Sequence, residues 1–170
     1  MSYATAEQLL QWFGAAEVAE VAVPDDQPPI SAALLRRVLS GALRTTEEEA
    51  AWASAEQALQ RLQQALAEAQ RLMDSYLASR YPLPLAETTI AASPLPRMCA
   101  TLALALLHDN RLPKAVAERQ QQAMAWLQAL SAGKVELVPQ LAQSGRVANG
   151  PEFVSGIRVF TNDTLQAFMR

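Results

Sequence analysis

The chain has 170 residues, is 51% apolar but only 6% aromatic, and carries a net charge of −3. That length suits one domain with a real core, and abundant Ala and Leu with few aromatics favour helices packed through small side chains over a β-sandwich. The acidic balance and the lack of a dense Lys/Arg run exclude a surface built to neutralise phosphates.

No positively charged leader precedes an apolar stretch, and nowhere do about 18 apolar residues run unbroken. Neither secretion by a signal peptide nor a membrane span is therefore expected. The single Cys99 lies in the apolar run from Met98 to Leu107, where a free thiol behaves as a small core hydrophobe and suits a reducing cytoplasm.

The ten prolines fall at 24–29, 82–96, 113 and 139–151 and divide the chain into helical blocks and connectors. Thr5 with Gln8 forms a capping box ahead of Leu9, Leu10, Trp12 and Phe13, and Gly14 is an αL stop, so a helix is predicted over Ala6–Phe13. Residues 17–30 are acidic and proline-rich and are read as a connector. Ser31 then caps a helix carrying Leu34, Leu35, Val38 and Leu39 that stops at Gly41.

Thr46 and Glu49 form the next capping box, and Glu47, Glu48 and Glu49 sit where the positive end of a helix dipole favours them. From there Trp52, Ala55, Leu59, Leu62, Leu66, Ala69, Met73 and Tyr76 recur in steps of three and four and draw one apolar stripe. Unbroken to Arg80, this helix has about 34 residues and a length of roughly 50 Å. The stripe either packs against the chain's own helices or forms a coiled-coil seam. Intramolecular packing is expected for its C-terminal half, with the Trp52 end left open for a partner.

Tyr81-Pro82-Leu83-Pro84-Leu85 cannot be helical, because alternating prolines remove donors and push their predecessors towards extended conformations. Leu95–Asn110 is nearly continuous in Leu, Ala, Met and Cys and is predicted to be the central core helix. A further helix over Lys114–Ala132 faces Val116, Gln120, Ala123, Leu127 and Leu130 inward and ends at Gly133. Lys134–Leu137 and Ile157–Phe160 alternate like short strands.

Candidate chemistry is sparse. His108, the single histidine, stands beside Asp109 at the end of the core helix, where the dipole favours a protonated His, and a structural role is expected for it. With Cys99 it supplies too few ligands for a structural zinc site. No nucleophile elbow, P-loop or dinucleotide fingerprint occurs, and the glutamates at 47–49 are explained by capping alone. No catalytic residue, cofactor or metal is expected.

Several segments together resemble the head-to-tail connector (adaptor, or head completion) family of Mu-like bacteriophages. Tyr3-Ala4-Thr5, with Leu9 and Trp12-Phe13-Gly14, is similar to that family's opening helix. Met73-Asp74-Ser75-Tyr76-Leu77-Ala78-Ser79-Arg80-Tyr81-Pro82-Leu83-Pro84-Leu85 resembles its most recognisable stretch, with Tyr76, Arg80, Tyr81, Pro82, Leu83 and Pro84 as the motif positions. The buried helix, Ala125-Trp126-Leu127, Gly133–Leu137 and a Phe-containing end from Val159 to Phe168 follow in the same order. The helix extension over 43–63 exceeds what the shortest members carry.

The fold expected is mainly α, a helical bundle with one very long helix and a core helix, plus short strands and an extended C-terminal tail. Residues 1–139 form the helical domain, and 140–170 a segment ordered on assembly. The resemblance implies a virion protein at the head–tail interface, made in the host cytoplasm. It would form a ring, twelvefold, beneath the portal and receive tail completion or terminator proteins, with DNA only passing through the lumen. Ile157, Arg158, Val159, Phe160, Phe168 and Trp52 are the expected protein contacts, with β-augmentation as the mode for 157–160. The rivals are a small helical adaptor or regulatory module and a small enzyme assembled from dispersed carboxylates.

Overall fold

A computed structural model of the chain describes residues 2–24, 27–42, 49–108 and 112–137, all within the unit Met1–Pro139. The described residues are mainly helical, with seven helices and no strand: α1 Ala6–Phe13, α2 Ala15–Ala22, α3 Ala32–Leu39, α4 Glu49–Leu77, α5 Glu87–Ala92, α6 Leu95–Leu107 and α7 Lys114–Ser131.

The starts and stops follow local chemistry. Thr5 Oγ1 accepts the Gln8 N–H at 3.3 Å while the Thr5 N–H donates to Gln8 Oε1 at 3.0 Å, which closes the capping box of α1. Gly14 departs from the expected αL stop. Its φ of 85° is positive but its ψ of 130° is extended, a conformation open to glycine alone. Its N–H ends α1 on Leu10 and its carbonyl accepts from Val18 to begin α2, so one residue serves two helices.

That junction corrects the reading of 17–30 as a connector. Ala15–Ala22 is helical, burying Ala15, Val18, Ala19 and Ala22. Ser31 caps α3 through the Leu34 N–H at 3.1 Å, and Gly41 (φ 68°) closes it, with Ala42 N–H reaching back to the Arg37 carbonyl in a Schellman arrangement. Gly133 (φ 76°) ends α7 in the same way, Lys134 donating to the Ala129 carbonyl at 2.8 Å.

The helix α4 has 29 described residues. The expected start at Thr46, with Glu47 and Glu48, lies outside the described residues. Its end comes at Leu77 rather than Arg80, because Pro82 offers no donor and forces Tyr81 out of the helical region. Its buried face is Ala58, Leu62, Ala65, Leu66, Ala69, Met73 and Leu77, while Leu59 and Tyr76 are only half-covered.

In α6 nine of thirteen residues are buried, and the helix packs against α1, α2, α4, α5 and α7. Each large apolar side chain so enclosed contributes roughly 1.5–3 kcal/mol relative to exposure. The helix ends at Leu107, earlier than the expected Asn110, with His108 as its C-cap. Asp109 lies outside the described residues.

The six-residue α5 was not expected after the proline segment. It lacks a side-chain cap and buries only Ile90, so nothing local announces it. Val116, Ala123, Leu127 and Leu130 are the buried face of α7, as its spacing predicts, with Gln120 at the margin. The strand expected at Lys134–Leu137 is not one. The segment follows the glycine turn and turns Leu137 into the core at 4% exposure; its alternation reflects anchoring rather than sheet pairing. The strand expected at Ile157–Phe160 lies outside the described residues.

Candidate functional site

Two quoted motifs, far apart in sequence, meet in space. Tyr3 is buried, and its hydroxyl donates to Asp74 Oδ1 across 71 positions. The rest of the Met73–Leu85 segment continues from that tie, with Leu85 buried and Pro82, Leu83 and Pro84 exposed at the surface. Tyr3, Gln70, Asp74, Leu83, Pro84, Leu85 and Ile90 line an open cleft of about 280 Å³. The wall is apolar and the floor carries one carboxylate.

Beneath it lies Cys99, fully buried, its Sγ directed to the Leu66 carbonyl at 3.9 Å. Burial pushes this thiol up from 9.0 to about 12, with Asp74 adding in the same direction and the Ala4 backbone opposing. Burial, reinforced by the hydrogen bond and the charge of Asp74, holds the Tyr3 phenol well above its ordinary value. Both groups keep their protons at neutral pH and act as packing and hydrogen-bonding groups, not nucleophiles.

The remaining motif residues brace the turn that follows α4, beside the cleft. The Tyr81 hydroxyl accepts the Leu137 N–H at 3.3 Å, and the exposed Arg80 lays its guanidinium over Gly133, where an added Cβ would stand 2.9 Å from Arg80 Cζ. A side chain there would collide with it. Tyr76 is half-buried against the core. Tyr81 thus ties the chain at residue 137 to the turn after α4, with Arg80 beside the glycine that ends α7.

Trp52 is not an open contact. It is 5% exposed in a satellite cluster with Leu34 and Ala55, its Nε1 donates to Glu56 Oε1 at 3.0 Å, and Arg37 lies 5.5 Å from its ring centre. The chain's own α3 covers the end of α4 that was left for a partner. Ile157, Arg158, Val159, Phe160 and Phe168 lie outside the described residues.

His108 Nε2 is buried and has no hydrogen-bond partner among the described residues. Among those residues no group of three or more His, Cys, Asp or Glu is placed to hold a metal, and no helix is long and apolar enough to cross a membrane. A second aromatic contact places Arg97 of α6 5.5 Å from the Trp12 ring centre and 5.2 Å from that of Phe13, tying α1 to the start of the core helix by cation–π attraction.

Sequence reasoning placed Tyr3 and Asp74 in separate motifs and missed that they face each other. It also missed Leu137 as the partner of Tyr81. Neither pairing has a local signature, since each joins residues more than fifty positions apart.

Two comparisons bear on this arrangement. A family model described as "Bacteriophage Mu, Gp36" matches residues 3–154, a span that includes both motifs, the cleft and the brace at Leu137. The chain is similar to gene product J of Escherichia phage Mu, 32% identical over 74 residues, which is 44% of this chain and 50% of that protein. The match therefore spans about half the length of this curated relative. With the family model running from Tyr3 past the Tyr81–Leu137 contact, the chain belongs to the Gp36 family of bacteriophage Mu.

Proposed function

We propose that this chain is a structural virion protein that joins the DNA-filled head to the tail, assembling as a twelvefold ring beneath the portal and receiving tail completion or terminator proteins on its other side. The observation that carries the reading is the brace at residue 137. The Tyr81 hydroxyl ties the chain at Leu137 to the helical body, and a ring connector needs such a body to carry its lateral contacts. Membership in a phage protein family supports a role in particle structure or morphogenesis.

The reading assigns no catalytic group, cofactor or metal. Alanine at Cys99, His108 or Asp109 should leave particle assembly intact apart from losses of stability. A net charge of −3 suits a lumen that lets phosphates pass without gripping them.

The test is electron microscopy of particles made after deleting the gene from its prophage. Filled heads beside separate, complete tails are expected. Normal virions, or a block at capsid assembly, would sink the reading. A helical regulatory module is the rival, and stoichiometry separates the two, because a regulator binds one or two chains where a connector closes a ring.

A further inference from the structure

One residue separates the first two helices. Gly14 ends α1 by donating to the Leu10 carbonyl and starts α2 by accepting from Val18, so no loop stands between Phe13 and Ala15. Its angles, φ 85° and ψ 130°, turn the chain there, and only glycine holds them without strain. Glycine also adopts helical angles at no steric cost. A rotation at this one residue therefore joins α1 and α2 into a single helix over residues 6–22, about 25 Å long.

Where the apolar side chains fall decides what such a helix can do. The buried residues of α1 are Ala6, Leu9, Leu10 and Phe13, and those of α2 are Ala15, Val18, Ala19 and Ala22. At about 100° per residue along one straight helix, the centres of the two sets lie roughly 180° apart. One body cannot cover both. With α2 held in its own body, Leu9, Leu10 and Phe13 face away from it and need an apolar slot elsewhere.

The slot that fits them is the one α1 fills here, against α2, α4 and α6, on another copy. We propose that, on assembly, α1 of each copy swings out about Gly14 and fills the α1 slot of the next copy. Each tie re-forms with the same chemistry, now between chains: the Tyr3 hydroxyl on Asp74, and the Trp12 and Phe13 rings against Arg97. Because a neighbour's α1 replaces the one that leaves, α6 stays covered. Each copy donates one patch and accepts with a different one, which is the heterologous contact that closes into rings. The inference rests on the ring reading and names the lateral contact that builds the ring.

The test co-expresses two differently tagged full chains in a Cys99→Ala background, one carrying Trp12→Cys and the other Arg97→Cys, and treats them with a short bifunctional thiol reagent. Between two such chains, positions 12 and 97 can join only across copies, and that link is expected by mass spectrometry in the assembled form. Below the concentration at which the parent assembles, Gly14→Ala should raise its yield at least tenfold. A Cβ at Gly14 meets nothing within 4 Å, so alanine opposes only the turn and favours the straight helix. Inserting three glycines after Gly14 should lower the yield in the assembled form at least fivefold, because a longer hinge lets α1 fold back on its own chain. Circular dichroism checks that both variants keep their helices, and if Gly14→Ala does not fold, the insertion decides alone. Assembled particles without the 12–97 link, or a yield indifferent to the hinge, would overturn the proposal. Mass photometry of the unmodified chain, alone and with portal-bearing filled heads, separates this failure from that of the ring. Rings without the link remove the exchange alone, closed pairs carrying it keep the exchange and remove the ring reading, and the absence of any assembly removes both.

Discussion

The phenol of Tyr81 accepts the backbone N–H of Leu137 at 3.3 Å, joining the proline-rich turn after α4 to the chain beyond α7. Removing that oxygen leaves a part-buried N–H without its acceptor, which costs about 1–2 kcal/mol. Tyr81→Phe should lower the unfolding free energy by that amount in a urea titration, and the Leu137 amide should exchange with deuterium faster than its neighbours do. Unchanged exchange would mean that the contact holds nothing in place.

Gly133 has a φ of 76° and lies under the Arg80 guanidinium. Gly133→Ala should cost about 1–2 kcal/mol for the left-handed backbone, plus a smaller amount for displacing the arginine. A double-mutant cycle with Arg80→Ala separates the two contributions: the strain persists in the Arg80→Ala background and the collision does not. Equal costs in both backgrounds would show that Arg80 has room to move aside.

Alkaline pH should loosen the fold through Cys99 and Tyr3. Both pKa values are raised in the folded state, so the folded chain holds these protons to higher pH than the unfolded chain does. The contribution of Cys99 is fully present below its ordinary value of 9.0 and is lost as pH rises from there through about 12. The thiol alone gives a slope of up to about 1.4 kcal/mol per pH unit in that window. Stability measured against pH should be flatter above 9 in a Cys99→Ala/Tyr3→Phe chain than in the parent, and an equally steep decline would assign the alkaline loss to other groups.

Trp52 holds the satellite cluster with Leu34 and Ala55. Trp52→Ala should destabilise the chain by about 3–5 kcal/mol as a large-to-small core change. Trp52→Phe, which keeps most of the packing but gives up the bond to Glu56, should cost about 1–2 kcal/mol. Calorimetry on both variants checks the order. If Trp52→Ala instead leaves stability unchanged but blocks assembly, the residue serves a partner after all.

What the sequence disclosed and what it hid divide along a physical line. Capping and glycine chemistry are local, so Thr5 with Gln8, Ser31, Gly41 and Gly133 marked their helix ends correctly, and the apolar richness of Leu95–Leu107 marked a buried helix. The Ala15–Ala22 helix was hidden because Gly14, read as a terminator, is also an initiator, and no side chain caps the new helix. Glu87–Ala92 was hidden for the same want of a cap. Period-two alternation at Lys134–Leu137 misled because an anchored coil, like a strand, sends alternate side chains inward. The cleft was not legible at all: its floor depends on Tyr3 meeting Asp74, and that distance in sequence leaves no periodic trace.

The enclosure of α6 by five other helices has a consequence for how the body comes apart. None of these five can leave without exposing part of the central one, so partial opening there gains little chain entropy for the apolar surface it wets. The amides of Cys99 to Leu107 should therefore exchange only through global opening, as one cooperative unit, while the ends of α3 and of the short α5 fray beneath that limit. A ring built from such bodies would sooner lose a whole subunit than stretch one.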